Sequence, residues 1–167
     1  MSDSKTVENL KAAFAGESQA NRKYTYFAEK ADSEGYKQIA KLFRAAAHAE
    51  AIHARSHLRA LAAIQGTAEN LQAAIDGESY EVTSMYPEFI DEARLAEEKK
   101  ALRSFTWAYE VEKVHEALYR QALASMGEDG TAVDYYVCPI CGYTHAGPMS
   151  ENCPVCGTLA DKFECIE

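Results

Sequence analysis

The feature that most constrains this chain is a four-residue pattern that occurs twice, Glu50-Ala-Ile-His53 and Glu112-Lys-Val-His115. Residues three apart on an α-helix share a face, so each pattern aims a carboxylate and an imidazole at one point. A single Glu-x-x-His in a charged helix is ordinarily solvated surface. These two are different because they sit inside a longer repeat. The stretch from Thr6 to Ser18 recurs 61 residues later from Thr67 to Ser79, with nine of thirteen positions identical, and the second Glu-x-x-His follows the first by 62. Each repeat therefore holds one Gly-Glu-Ser helix, carrying Glu17 or Glu78, and one Glu-x-x-His helix. One Glu from each of two helices and a Glu-x-x-His from each of two others is the ligand set of a carboxylate-bridged two-metal site inside a four-helix bundle.

Buried carboxylates need cations, and the first helix offers none on the relevant stripe. Leu10, Ala13, Phe14, Glu17, Ala20, Asn21, Tyr24 and Ala28 follow spacings of three and four, which puts Glu17 in a core-facing row without lysine or arginine. This helix is expected from Ser4 or Thr6 to the break at Asp32-Ser-Glu-Gly35. A second is expected from about Tyr36 to Ile64, with Ile39, Phe43, Ala46, Ala47, Glu50, His53, Ala54 and Leu61 inward and His48 outward. Gln65-Gly66-Thr67 should break it, and Thr67 is placed to cap the third helix. There the repeat departs from itself, because Glu81 stands three residues after Glu78 where the first half has Ala20. A fifth carboxylate on one side makes the two metals inequivalent. Pro87, directly after Tyr86, should bend or interrupt this helix. The fourth is expected over roughly Lys99 to Met126, with Leu102, Phe105, Ala108, Glu112, His115, Leu118 and Tyr119 inward.

At 167 residues and 47% hydrophobic content, the chain has room for one ordinary domain and an appendage. Its net charge of -9 argues against nucleic acid or an anionic membrane as partner. Five glutamates around two divalent ions would nearly cancel, which accounts for so many carboxylates in a bundle core. No apolar run marks the N-terminus and none is long enough to span a bilayer, so a cytoplasmic protein is expected. The polar stretch Gly127-Glu-Asp-Gly130-Thr divides the sequence into a helical domain, 1–130, and a C-terminal module, 131–167.

That module is too short for a core of its own and must be held by metal. Cys138-Pro-Ile-Cys141-Gly142 and Cys153-Pro-Val-Cys156-Gly157 supply four thiolates on two turns. Such a site binds zinc or iron, and on the bare pattern a structural zinc ribbon is the favoured reading. Gly142 and Gly157 let the backbone turn its amides toward the sulfurs, and Tyr135, Tyr136, Tyr143 and Phe163 can form an aromatic cover. Cys165 is left over.

In combination, Gly16-Glu17-Ser18-Gln19-Ala20, Glu50-x-x-His53, Glu78-x-x-Glu81, Met85-Tyr86-Pro87, Glu112-x-x-His115 and the two cysteine pairs resemble the rubrerythrin family over essentially the whole chain. The resemblance implies an all-α four-helix ferritin-like bundle followed by a small rubredoxin-like β/loop domain. It implies that Glu50 and Glu112 bridge two irons, with Glu17 terminal on one and Glu78 and His115 on the other. His53 and Glu81 would alternate as ligands of the first iron with oxidation state, and Tyr24 and Tyr86 lie beside the cluster. It also turns the reading of Cys138, Cys141, Cys153 and Cys156 from zinc to iron, with zinc as a substitute. The interval between the cysteine pairs looks one residue shorter than the family's usual module, which leaves the ligands intact.

The implied activity is reduction of hydrogen peroxide to water, as an NAD(P)H-linked peroxidase in oxidative stress defence. Two ferrous ions about 3.5–4 Å apart can clamp both peroxide oxygens and deliver one electron each. A donor protein, such as a rubredoxin or an NAD(P)H-dependent reductase, would restore them through the four-thiolate site. A ferroxidase or iron-storage role is the alternative, against which stands the cysteine module, since iron oxidation needs no reducing input. A plain bundle with a zinc ribbon as scaffold leaves the buried glutamates unexplained. Finally, matching the two half-cages requires the second and third helices to run parallel, and a link inside one bundle must then travel roughly 40 Å. Five residues around Gln65-Gly66-Thr67 reach at most ~17 Å. A segment-swapped homodimer is therefore expected, with Glu17, Glu50 and His53 from one chain meeting Glu78, Glu81, Glu112 and His115 of another.

Overall fold

The computed structural model describes residues 4–127 and 132–166. The expected boundary between helical domain and module falls largely on residues 128–131, outside the described residues. By its internal packing the chain forms two compact units, Met1–Gln65 and Gly66–Glu167.

The first unit is a helical hairpin of α1 (Lys5–Ser33) and α2 (Lys37–Ala60). Ser4 caps α1, its hydroxyl accepting from the amide of Val7, as a serine before an amphipathic run should. Gly35 ends the turn with φ +87°. Small side chains let the two helices approach closely, so that Ala28, Ala31, Ala40, Ala47 and Ala54 are the buried residues. Asn21 pins the pair by donating from Nδ2 to the carbonyl of Ala47 at 2.7 Å. Tyr24, Phe27 and Phe43 form an aromatic triad with centroid separations of 5.5–6.2 Å. Ile39, expected inward, is instead 47% exposed.

Helix α2 stops at Ala60, four residues before the expected Ile64. Ala62 takes the left-handed conformation, φ 51°, and the amides of Ala62 and Ala63 bond back to Arg59 and Leu58. This Schellman-type end usually employs glycine. Glu97 ends α4 in the same way, so two of these stops carry no sequence signature.

The second unit begins with α3 (Thr67–Tyr80), continues through a π-helical turn (Glu81–Met85) into α4 (Tyr86–Leu95), and returns along α5 (Lys99–Ala124). Thr67 is the first helical residue and Gly66 the cap, with no side-chain cap bond, contrary to the expected role of Thr67. Pro87 interrupts nothing, because it lies in the first turn of α4, just where the hydrogen-bond register has already changed. The amide of Tyr86 bonds to the carbonyl of Glu81, five residues back. Tyr86, Phe89 and Phe105 repeat the aromatic triad at 5.5–6.4 Å.

The C-terminal module is a three-stranded antiparallel sheet in the order β2-β1-β3, from Tyr135–Val137 (β1), Thr144–Ala146 (β2) and Glu164–Ile166 (β3). It packs on α5 within the same unit, and a Cβ on Gly142 would meet Val111 of α5 at 3.9 Å. Of the expected aromatic cover, Tyr143 and Phe163 meet edge to face at 6.4 Å, whereas Tyr135 is 39% exposed.

Ile75 is 2% exposed and three residues before Glu78, so its burial fixes which face of α3 the glutamate occupies. Ile75→Ala should cost roughly 2–5 kcal/mol in chemical denaturation. Leu95→Ala, at a site 86% exposed, should change stability by less than about 0.5 kcal/mol.

Candidate metal centres

Each unit assembles half of a carboxylate and histidine cage. In the first, Glu17, Glu50 and His53 offer ligand atoms that all lie within 4.8 Å of one another. His53 Nδ1 is 2.8 Å from Glu50 Oε2 and 4.0 Å from Glu17 Oε1. In the second, Glu78, Glu112 and His115 do the same. His115 Nδ1 is 2.7 Å from Glu112 Oε2 and 3.9 Å from Glu78 Oε1. The two halves agree to 0.1 Å, as the sequence repeat requires. Carboxylate oxygens with imidazole nitrogen suit iron and similar first-row ions, so the donor set fits the metals the sequence implies.

The halves differ in three ways. The side chain of His53 is 55% exposed and that of His115 28%. Only the second half has an extra carboxylate, Glu81, which stands on the π turn, outside the three-residue cluster but close enough to act on Tyr86 and to feel Glu112 and His115. And His115 Nε2 lies 3.0 Å from Thr144 Oγ1 of the module, a contact that spacing within the helices gave no means of finding.

The π turn was readable in principle. Ser18 and Ser79 are 61 apart, whereas Tyr24 and Tyr86, Phe27 and Phe89, and Phe43 and Phe105 are all 62 apart. The second repeat therefore carries one extra residue between Ser79 and Tyr86, and a single residue inserted in a helix is absorbed as a π bulge.

Crowded carboxylates shift one another. Burial first, then the charge of Glu112, pushes the Glu78 carboxyl from 4.5 to about 7, against the pull of His115. Burial and Glu112 also raise Glu81. The bond to Glu112 raises His115 against the effect of burial. Burial, then the charge of Glu81, raises Tyr86.

In the module, the sulfurs of Cys138, Cys141, Cys153 and Cys156 all lie within 4.8 Å of one another, with Cys138–Cys156 and Cys141–Cys153 both at 3.5 Å. A tetrahedral four-thiolate site needs sulfurs about 3.8 Å apart for metal–sulfur bonds near 2.3 Å, so the cluster fits one ion. Gly142 and Gly157 have φ +84° and +77°. Their amides donate to the carbonyls of Cys138 and Cys153, closing two matching turns. The amides of Tyr143, Val155, Cys156 and Thr158 are turned to the sulfurs. Burial pushes Cys141 and Cys153 up. For Cys156 burial is outweighed by the Thr158 hydroxyl, 3.1 Å away, and the Thr158 amide, which bring the thiol down to about 6. Cys165 is exposed on β3, outside the cluster.

Comparison with known proteins agrees with this double arrangement. A family profile described as Rubrerythrin matches residues 8–123, and one described as Rubrerythrin, rubredoxin-like domain matches residues 136–164. The chain belongs to the rubrerythrin family. It is 38% identical to Rubrerythrin-2 of Clostridium acetobutylicum over 95% of both chains. It is 40% identical to nigerythrin of Nitratidesulfovibrio vulgaris over 95% of this chain and 85% of that one. The solved structure of fully reduced, all-ferrous nigerythrin matches 99% of this chain and 91% of its own at a TM-score of 0.60 and 38% identity. The fold class is thus the rubrerythrin one, ferritin-like helices with a C-terminal rubredoxin-like module. Its cofactors are a di-iron carboxylate site and a four-cysteine iron site. Among the described residues no helix is long and apolar enough to cross a membrane.

The shifts predict a pH dependence for metal-free protein. Glu78 binds its proton more tightly folded, at about 7, than unfolded, near 4.5, so its contribution to stability is full at low pH and is lost as pH rises through that window. His115, raised above 6.5, acts in the same direction. The melting temperature of apoprotein should fall between about pH 5 and 7.5. Glu78→Gln should flatten that slope, as should saturation with ferrous ions, both read by calorimetry.

Proposed function

We propose that the chain is a hydrogen peroxide reductase whose electrons arrive one at a time through the four-cysteine site. The observation that carries this reading is the pairing, in one chain, of two carboxylate and histidine clusters of matching internal geometry with a thiol cluster suited to iron. The reaction consumes two electrons and two protons per hydrogen peroxide and yields two waters. Iron bound in the cages supplies the electrons that break the O–O bond.

The residues have distinct parts in this proposal. Glu50 and Glu112 bridge, Glu17 serves one ion, and Glu78 with His115 serves the other. Exchange of His53 for Glu81 with oxidation state is supported by the exposure of His53, which leaves that ring freer to move than His115. Tyr24 and Tyr86 have the parts of tyrosines beside the ions; each is held in its aromatic triad, and the nearness of Tyr86 to Glu81, Glu112 and Glu78 supports its part. The electron donor is a rubredoxin or an NAD(P)H-dependent reductase. The compartment is reducing, as in the cytoplasm, since four adjacent thiols would otherwise pair as disulfides.

Assembly is part of the proposal. A two-helix hairpin leaves its ligand-bearing face uncovered, and the first hairpin also exposes Phe27, Ile39, Leu42 and Ile52 at 44–67%. Helix α2 with 24 residues is about 36 Å long. The six-residue link between Ala60 and Thr67 spans at most about 25 Å. It cannot run the length of the helix to bring the cages together with α2 and α3 parallel. We therefore pair residues 5–60 of one copy with residues 67–124 of a second, in a segment-swapped homodimer with two complete sites.

Rapid mixing of anaerobically reduced protein with hydrogen peroxide tests the activity. Prompt return of the ferric four-thiolate colour is expected. Slow return, with faster oxidation by oxygen and many irons accumulating per chain, would favour ferroxidase or storage. Glu81→Ala should retain two irons in the cages by elemental analysis while turnover slows, whereas Glu50→Ala or Glu112→Ala should lose metal. Equal loss in all three variants would remove the distinct role given to Glu81. Glu50→Ala and Glu112→Ala chains refolded together should recover one full site per heterodimer. A fully metallated, active monomer by light scattering would end the swapped assembly.

A further inference from the structure

Thr144 stands on β2 of the module, three residues after Cys141, and its hydroxyl is 3.0 Å from His115 Nε2 and 3.1 Å from the carbonyl of Gly142. A carbonyl only accepts, so the Thr144 hydroxyl spends its proton on Gly142 and has only lone pairs left for the histidine. Nε2 must then carry an N–H. Nδ1 is the nitrogen beside Glu112 and Glu78, and its own proton is held by the Glu112 carboxylate at 2.7 Å. The hydroxyl thus fixes the ring orientation and keeps a proton on Nε2, so that Nδ1 is the nitrogen a metal ion can take in place of the proton shared with Glu112.

The anchor of this hydroxyl is the cysteine turn itself. Gly142 follows Cys141, and its amide closes the turn on the carbonyl of Cys138. His53, the counterpart of His115, is twice as exposed, and no bond to its Nε2 occurs among the described hydrogen bonds.

We propose that Thr144 is a positioning residue that makes metal binding at Glu78, Glu112 and His115 depend on the folded, metal-loaded cysteine module of the same chain. This deepens the di-iron reading above and rests on it, but it concerns affinity and ring position, and it stands or falls whether or not peroxide is the substrate. Outer hydrogen bonds of this kind typically govern about 10–100-fold in metal affinity.

The test uses the full-length protein. With ¹⁵N-histidine labelling and iron only in the module, the Nε2–H proton of His115 should be visible and slow to exchange with solvent. Thr144→Val should speed that exchange, and Thr144→Ser should slow it again. In anaerobic ferrous titrations, Thr144→Val should weaken one of the two cage ions by about tenfold or more, leaving the other and the module's colour unchanged, with Thr144→Ser again near wild type. Cys138→Ser removes the module's hold on Thr144 by design, so it should weaken the same single ion even if Thr144→Val itself disturbs the module. The double variant Thr144→Val with Cys138→Ser should be no weaker than Cys138→Ser alone. Wild-type affinity for both ions in Cys138→Ser, or unchanged exchange of the Nε2–H proton in a Thr144→Val protein that keeps its colour, would overturn the proposal.

Discussion

The structure depends on a crowd of carboxylates that has no lysine or arginine to neutralise it. Among the described ion pairs, the lysines and arginines bind Glu8, Asp32, Glu34, Asp91, Glu110, Glu116 and Asp161, all away from the cages. Glu17, Glu50, Glu78 and Glu112 are left to His53 and His115. Burial, and then the charge of Glu112, raises Glu78 to about 7, in keeping with that crowding in the second half. Divalent ions relieve it, and proton uptake is the only substitute available without them. Metal is therefore part of what makes the helical region stable, as it is for the cysteine module.

The same demand shapes the helices. Alanine lines the contact between α1 and α2, so the backbones come close and the long Glu and His side chains share a narrow space. A hairpin built this way has little core, and among the described residues of the first unit only alanines are buried. Its stability must come from whatever covers the ligand-bearing face. The aromatic triads at Tyr24 and Tyr86 are the chief large groups that each hairpin packs for itself.

Most of the fold was legible because the repeat and the three-residue spacings are backbone geometry written in residue types. Glu17, Glu50 and His53 fall together, as do Glu78, Glu112 and His115, and the four cysteines. The end of α2 was not legible, since Ala62 adopts a conformation for which sequence favours glycine. The π turn was signalled only by a change of repeat interval from 61 to 62, which a search for identical residues passes over. The contact of Thr144 with His115 joins residues 29 apart from different elements, and tertiary packing alone creates it.

What the π turn and the Thr144 contact share is that both break the symmetry of the repeat. The extra residue is absorbed as the π turn at Glu81–Met85, and Glu81 itself stands where the first half has Ala20. Thr144 holds Nε2 of His115, and His53 has no such contact at its Nε2 among the described hydrogen bonds. A site with two equivalent halves would bind two ions alike in every oxidation state, because each ion would meet the same ligands and the same rigidity. Here one half is tied to the module and carries an additional acid, while the other keeps an exposed ring. A duplicated scaffold thereby supplies two ligand sets of one geometry, and two local departures make them unequal in ligand number and in rigidity.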